Sequence, residues 1–318
     1  MLGTTVATRI NDTGFGSPSY DYRETLLASE KVNWKIEDII GGDKTLDFSK
    51  RFMPESLARV NELGFLSDEE RRVLNQIKGN TYLAMFGLVE EFILPFVIDH
   101  VRPSLDGDDF RVRAFLQFAS EEAKHIQLFK VFATEFRENF GSECKVIGPA
   151  SDIAKEVLSH EPLGVALAIL RIEWMSQRHY VESVKDDESL DPQFRSLLKN
   201  HWLEEAQHAK LDTAMVLALA RPLGQKEIEH AVDEYLEIGG FLDNGIREQT
   251  LLDLGSFELA TGRKLNEDER EEFIKSQHQA NRWTYLGTGM THPKFLEILG
   301  NLSAEQRQRI ETVSPMFC

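Results

Sequence analysis

Cysteine is nearly absent from this 318-residue chain, which holds only Cys144 and Cys318. Two thiols cannot build a disulfide framework or a soft thiolate metal site, and a reducing, cytoplasmic home is the simplest expectation. Positive charge is short too: 36 Lys and Arg stand against 53 Asp and Glu, for a formal net charge of −17. A nucleic-acid groove needs clustered cations to neutralise phosphates, so no nucleic-acid partner is expected. No apolar run approaches roughly 18 residues without charge, and the N-terminus lacks the basic and apolar regions of a signal peptide, so no membrane association is expected. Away from helix ends, glycine and proline are sparse between residues 55 and 290, and alternating β-type stretches hardly occur. Long helical patterns fill that space and predict an all-α protein. The repeat of about 34 to 47 residues that marks a helical solenoid is missing as well.

What is present is a short sequence written twice, Glu121-Glu122-Ala-Lys-His125 and Glu204-Glu205-Ala-Gln-His208. In each copy a carboxylate precedes an imidazole by three positions, so both leave the same helix face. In four-helix bundles that hold two metal ions, two helices each give such a Glu-x-x-His pair and the other two each give a glutamate. Two such glutamates exist. Glu90 and Glu173 each lie in an otherwise apolar helical stretch, where an unpaired charge is costly. Glu90 precedes Glu122 by the same interval that separates Glu173 from Glu205, as two antiparallel hairpins with level acids require. Glu91 competes for the first position, but Glu90 falls nearer the face that carries Tyr82, Phe86, Val89 and Ile93. One more residue breaks the symmetry. His201 lies within roughly 60° of Glu205 and His208 on the helical wheel, whereas the first copy has Phe118 at the matching place. A lone helical histidine is more often a surface or hydrogen-bonded core residue, so by pattern alone His201 stands evenly between ligand and bystander. Glu121 and Glu204, one residue before each ligand, are candidates to accept a hydrogen bond from the histidine of the opposite copy; plain solvated charge is the alternative.

The expected organisation is one domain in three parts. Residues 1–50 form an irregular N-terminal arm, 68–221 the metal-binding four-helix bundle, and 225–318 a C-terminal helical extension. Ser67-Asp-Glu-Glu reads as a capping box opening a helix over 68–101, with a kink near Pro95. Helices over 109–139, 162–186 and 192–220 follow, with a crossover and a short helix near 151–159 between the second and third. The extension is expected to break at Gly239-Gly240 and to loop over 287–293. Arg171 and Arg178 could balance the charge of Glu173, and His179 and Tyr180 could line a substrate cavity. His100 lies roughly 15 Å from Glu90 by helical rise and is no ligand candidate. Phe115, Phe118, Phe129 and Phe132 read as core.

Over residues 80–212 the order Glu, Glu-x-x-His, Glu, Glu-x-x-His resembles the ferritin-like di-iron carboxylate superfamily. That resemblance implies a ferritin-like four-helix bundle with additional N- and C-terminal helices. Residues 117–129 also resemble the oxidases related to the ribonucleotide reductase small subunit. Those oxidases carry a cross-linking tyrosine where this chain has Ala168, and the reductase subunit a radical tyrosine where it has Phe129. The spacing His201-x-x-x-Glu205-x-x-His208 is similar to the p-aminobenzoate N-oxygenase family, which has a third histidine ligand. Carried over residue by residue, this resemblance implies Glu90, Glu122, His125, Glu173, His201, Glu205 and His208 as ligands of two irons, with a manganese–iron pair as the variant. O₂ is then the cosubstrate, and an aryl amine is oxidised through a peroxo di-iron species. A small-molecule substrate, an external electron donor and a homodimer complete the expectation. The alternatives are an oxidase or hydroxylase acting on an apolar or fatty ligand and, from another class, a ferritin-like iron-binding protein. The chain is longer than ferritin-like cages use, which disfavours storage.

Overall fold

A computed structural model describes residues 20–318. In chain order its α-helices are α1 (Tyr22–Ser29), α2 (Ile36–Ile39), α3 (Glu55–Ala58), α4 (Asp68–Val101), α5 (Asp109–Asn139), α6 (Ala150–Val157), α7 (Pro162–Arg178), α8 (Pro192–Ala220), α9 (Gln225–Thr261), α10 (Glu267–Arg282), α11 (Thr288–Met290), α12 (Pro293–Leu302) and α13 (Ala304–Val313). Among the described residues there are no strands, only two isolated bridges. The chain is all-α.

Local chemistry explains where the long helices begin. Ser67 accepts from the Glu70 N–H while Glu70 accepts from the Ser67 N–H at 2.8 Å, which opens α4. Asp108 caps α5 by accepting from Phe110 and Arg111, and Asp191 caps α8 by accepting from Phe194. Proline stands at the first position of α7 and of α8, where its missing N–H costs nothing. Helix α4 is continuous through Pro95.

Helices α4 and α5 pack as one hairpin, α7 and α8 as a second, and α5 meets α8 between them. Helix α1 lies on α5 and α8, and α9 crosses both α4 and α7. A phenylalanine-rich core that includes Phe52, Phe86, Phe115, Phe132 and Phe194 fills the interior. Three expectations need correction. The third bundle helix ends at Arg178 and passes into a π-helical segment, His179–Val184, before the turn. Helix α9 does not break at Gly239-Gly240, because packing on α4, α7 and α10 outweighs the cost of two helical glycines, about 1 kcal/mol each. The expected loop over 287–293 holds a π-helical end and the short α11. Within Asp68–Ser104, an 18-residue window of mean hydropathy 1.7 meets the length and composition needed to cross a membrane. Glu90 and Glu91 interrupt this otherwise apolar stretch. Its window is 56% buried in the bundle.

Candidate metal centre

The four bundle helices each turn one or more charged or imidazole side chains inward. Glu90 from α4, Glu122 and His125 from α5, Glu173 from α7, and His201, Glu205 and His208 from α8 are all buried. Glu91 is not among them: its side chain is 34% exposed and pairs with Lys130 at 3.1 Å. Two overlapping groups form, Glu90 with His125, His201 and Glu205, and Glu122 with His125, Glu205 and His208. In each, one donor atom per residue lies within 4.8 Å of the others. Glu205 Oε1 is the common point, at 3.1 Å from His125 Nδ1, 3.0 Å from His201 Nε2 and 3.4 Å from His208 Nδ1. His201 Nε2 is also 3.2 Å from Glu90 Oε1, and His208 Nδ1 is 2.8 Å from Glu122 Oε1. Glu173 lies outside both groups, with its carboxyl against Glu205.

Apart from His201 Nε2 and Glu90 Oε1, which are hydrogen-bonded, these contacts are close yet poorly aligned for hydrogen bonds. Both oxygens of Glu122, one each of Glu173 and Glu205, and Nδ1 of His125 and of His208 have no hydrogen-bond partner. Buried polar atoms left so are expensive, and lone pairs that converge on one point suit a cation. The outer nitrogens are fixed. His125 Nε2 lies 2.8 Å from Glu204 Oε2, and His208 Nε2 lies 2.9 Å from Glu121 Oε2. An ionised carboxylate only accepts, so each Nε2 carries the proton and each Nδ1 offers a lone pair inward. Ser29 of α1 and Gln117 also donate to Glu121, and Lys124 donates to Glu204.

Charge in the site is uneven. Burial, with the charge of Glu122, pushes Glu90 well above the ordinary carboxylate range; burial with the charge of Glu205 does the same to Glu173. Burial opposes charge on His125 and His208, yet the surrounding carboxylates hold a second proton on both well above the usual imidazole value, and a cation bound at Nδ1 would displace that proton. His201 is pushed down by burial. The donor set itself, four carboxylates and three imidazoles, is hard to borderline oxygen and nitrogen and fits iron or manganese.

Aromatic rings enclose the imidazoles. Phe118 stacks on His208 at 3.9 Å, and Phe86 and Phe129 stand edge-on to His201 at 5.4 and 5.2 Å. Two participants escaped sequence reasoning. Trp34 lies parallel to the His125 ring, 6.1 Å away at 6°. Asp212 is wholly buried with neither oxygen hydrogen-bonded, and burial raises its pKa well above the ordinary range. Its signal was legible, since it extends the stripe of His201, Glu205 and His208 by one turn. Other expected roles fall elsewhere. Arg171 donates to the Tyr285 carbonyl, and Arg178 pairs with Glu182 and donates to Thr291. His179 Nε2 lies 3.0 Å from the Thr284 carbonyl, which only accepts, so its Nδ1 accepts from the Tyr82 hydroxyl at 3.0 Å. Tyr180 stacks on Trp202. His100 is held by Arg111.

Where α9 crosses α4 and α7, a cavity of about 320 Å³ opens. Met85, Phe86, Val89, Ile172, Phe241 and Ile246 give it an apolar wall, and Arg171 and Glu248 are its charged members. Phe86 separates it from His201.

No protein-family model matches the chain, and no curated protein matches it. Among solved structures it is similar to a variant of an R2-like ligand-binding oxidase with an aerobically reconstituted Fe/Fe cofactor. That match has 14% identity and a TM-score of 0.48, over 83% of this chain and 93% of the other. A second variant, with an anaerobically reconstituted Mn/Fe cofactor, matches at 13% identity and a TM-score of 0.47 over the same shares. Likeness of that degree does not extend to activity.

Proposed function

We propose that this chain is an O₂-activating oxygenase with a dinuclear iron or manganese–iron centre held by Glu90, Glu122, His125, Glu173, His201, Glu205 and His208. The observation that carries the reading is the convergence of unpartnered donor atoms on Glu205 Oε1, with each Nδ1 lone pair aimed inward by a carboxylate behind it. Such a pair of ions, when bound and reduced, supplies the electrons that side chains alone cannot give to O₂. The protein's share is different. Glu121 and Glu204 fix the tautomer of two imidazoles, and Phe86, Phe118 and Phe129 keep water from the site. His201 adds a third imidazole to the cluster, and this supports N-oxygenation of an aryl amine as the finer reading. A small-molecule substrate, an external electron donor and a cytoplasmic homodimer belong to the same proposal.

A second reading, oxidation of an apolar ligand, draws on the cavity beside Phe86. Its length of apolar wall suits a hydrocarbon body, and Arg171 would meet an anionic end. Elemental analysis tests both at once: fewer than two metal ions per chain sinks the dinuclear centre. Incubating the loaded, reduced protein with aryl amines and O₂, then weighing products by mass spectrometry, separates them. Amine products that gain oxygen favour the first, and an apolar acid that co-purifies and is released by Arg171→Leu favours the second.

A further inference from the structure

Helix α9 carries His230, Glu234 and Glu237 at successive spacings of four and three, so all three leave one face. His160, just before α7, is brought to that face by Gly164. A Cβ at Gly164 would lie 2.8 Å from Glu234 Cβ and 3.1 Å from the Ala231 carbonyl oxygen, so α7 can settle there only because the side chain is missing. His160 Nδ1 consequently sits 2.6 Å from Glu234 Oε2, and the Glu161 N–H donates to the same oxygen at 3.1 Å. His230 Nε2 stands 3.8 Å from the other oxygen, Oε1. One donor atom each from His160, Glu234 and Glu237 lies within 4.8 Å of the rest.

We propose that His160, Glu234 and Glu237, with His230 as fourth donor, bind a single divalent ion of the zinc class, separate from the bundle centre. Two imidazoles and two carboxylates are a borderline set that suits Zn²⁺ rather than Mg²⁺ or Ca²⁺, which prefer oxygen alone. Bonds of about 2.0 to 2.2 Å in a tetrahedron put neighbouring donors roughly 3.3 to 3.5 Å apart. His160 Nδ1 lies closer to Glu234 Oε2, at 2.6 Å, than two ligands of one ion would, and His230 Nε2 lies farther from Oε1, at 3.8 Å, so side-chain rotations are needed to bring the donors onto one ion. The His230 side chain is 62% exposed and free to swing in. The ion would clamp the crossover onto α9 one turn before Phe241, where α9 begins to line the cavity.

Tag-free protein, first loaded at its buried centre, is dialysed against Zn²⁺ and its metal counted. Wild type is expected to hold one more ion per chain than Glu234→Gln, His160→Gln or Glu237→Gln, and to gain thermal stability on Zn²⁺ addition where the variants do not. Because the readout is a difference between proteins, it holds whatever the buried centre retains. Glu237 is exposed, so its variant reports on the ion even if the other two loosen the packing. Equal zinc in wild type and Glu237→Gln, or no response of wild-type stability to Zn²⁺, overturns the proposal.

Discussion

His125 Nε2 and Glu204 Oε2 meet at 2.8 Å although they come from different helices, 79 positions apart. Because Glu204 holds the imidazole in one tautomer, Glu204→Ala should keep the fold but lower metal affinity about 10- to 100-fold. Competition with a coloured chelator measures this; unchanged retention would show that Glu204 is only a partner for Lys124.

His201 supplies a nitrogen to the Glu90 side of the centre and none to the Glu122 side. Its removal should therefore act on one ion. In His201→Ala, release to the chelator is expected to split into a fast and a slow phase of equal size. His100→Ala, at a side chain that contacts Arg111 and Phe115 outside the cluster, should leave release as in wild type. A single slow phase in His201→Ala would remove His201 from the ligand set.

Asp212 has a buried carboxyl with no hydrogen bond on either oxygen, and burial raises its pKa well above the ordinary value. An acid shifted upward binds its proton more tightly when folded, so its penalty is absent below about pH 4 and grows as pH rises. Asp212→Asn should therefore stabilise the metal-free protein at pH 7, by about 1 to 3 kcal/mol, with the gain fading toward pH 4. Urea midpoints at the two pH values decide it, and a lower midpoint at pH 7 would refute the assignment.

His179 shows the opposite sign. Burial pushes its imidazole down to about 3, and the bond to Thr284 only partly opposes this. The unfolded chain binds the proton first, so the contribution is fully present above about pH 6.5 and is lost as pH falls from there toward 3. The slope reaches about 1.4 kcal/mol per pH unit. His179→Gln should flatten that part of the stability curve; an unchanged slope between pH 6 and 4 would show that other groups carry it.

The residues of the buried cluster were open to sequence reasoning because helical spacing and buried charge are both local facts. Glu90 separates from Glu91 by a rotation of one residue, and the apolar stripe around Phe86 and Ile93 sets that rotation. Glu122, His125, Glu205 and His208 follow from one motif. Trp34 was hidden, since it reaches His125 from an irregular connection between α1 and α2 with no period to read. The unbroken α9 was hidden for a different reason. Gly239 and Gly240 would each accept a side chain without contact, so nothing local required glycine there or revealed the tertiary packing that keeps the helix whole.

Each motif copy carries the carboxylate that the other's histidine needs, Glu121 for His208 and Glu204 for His125. Neither hairpin can therefore fix its own inward-facing imidazole alone. In the present chain, separating the hairpins should dismantle both halves together instead of leaving a competent mononuclear remnant.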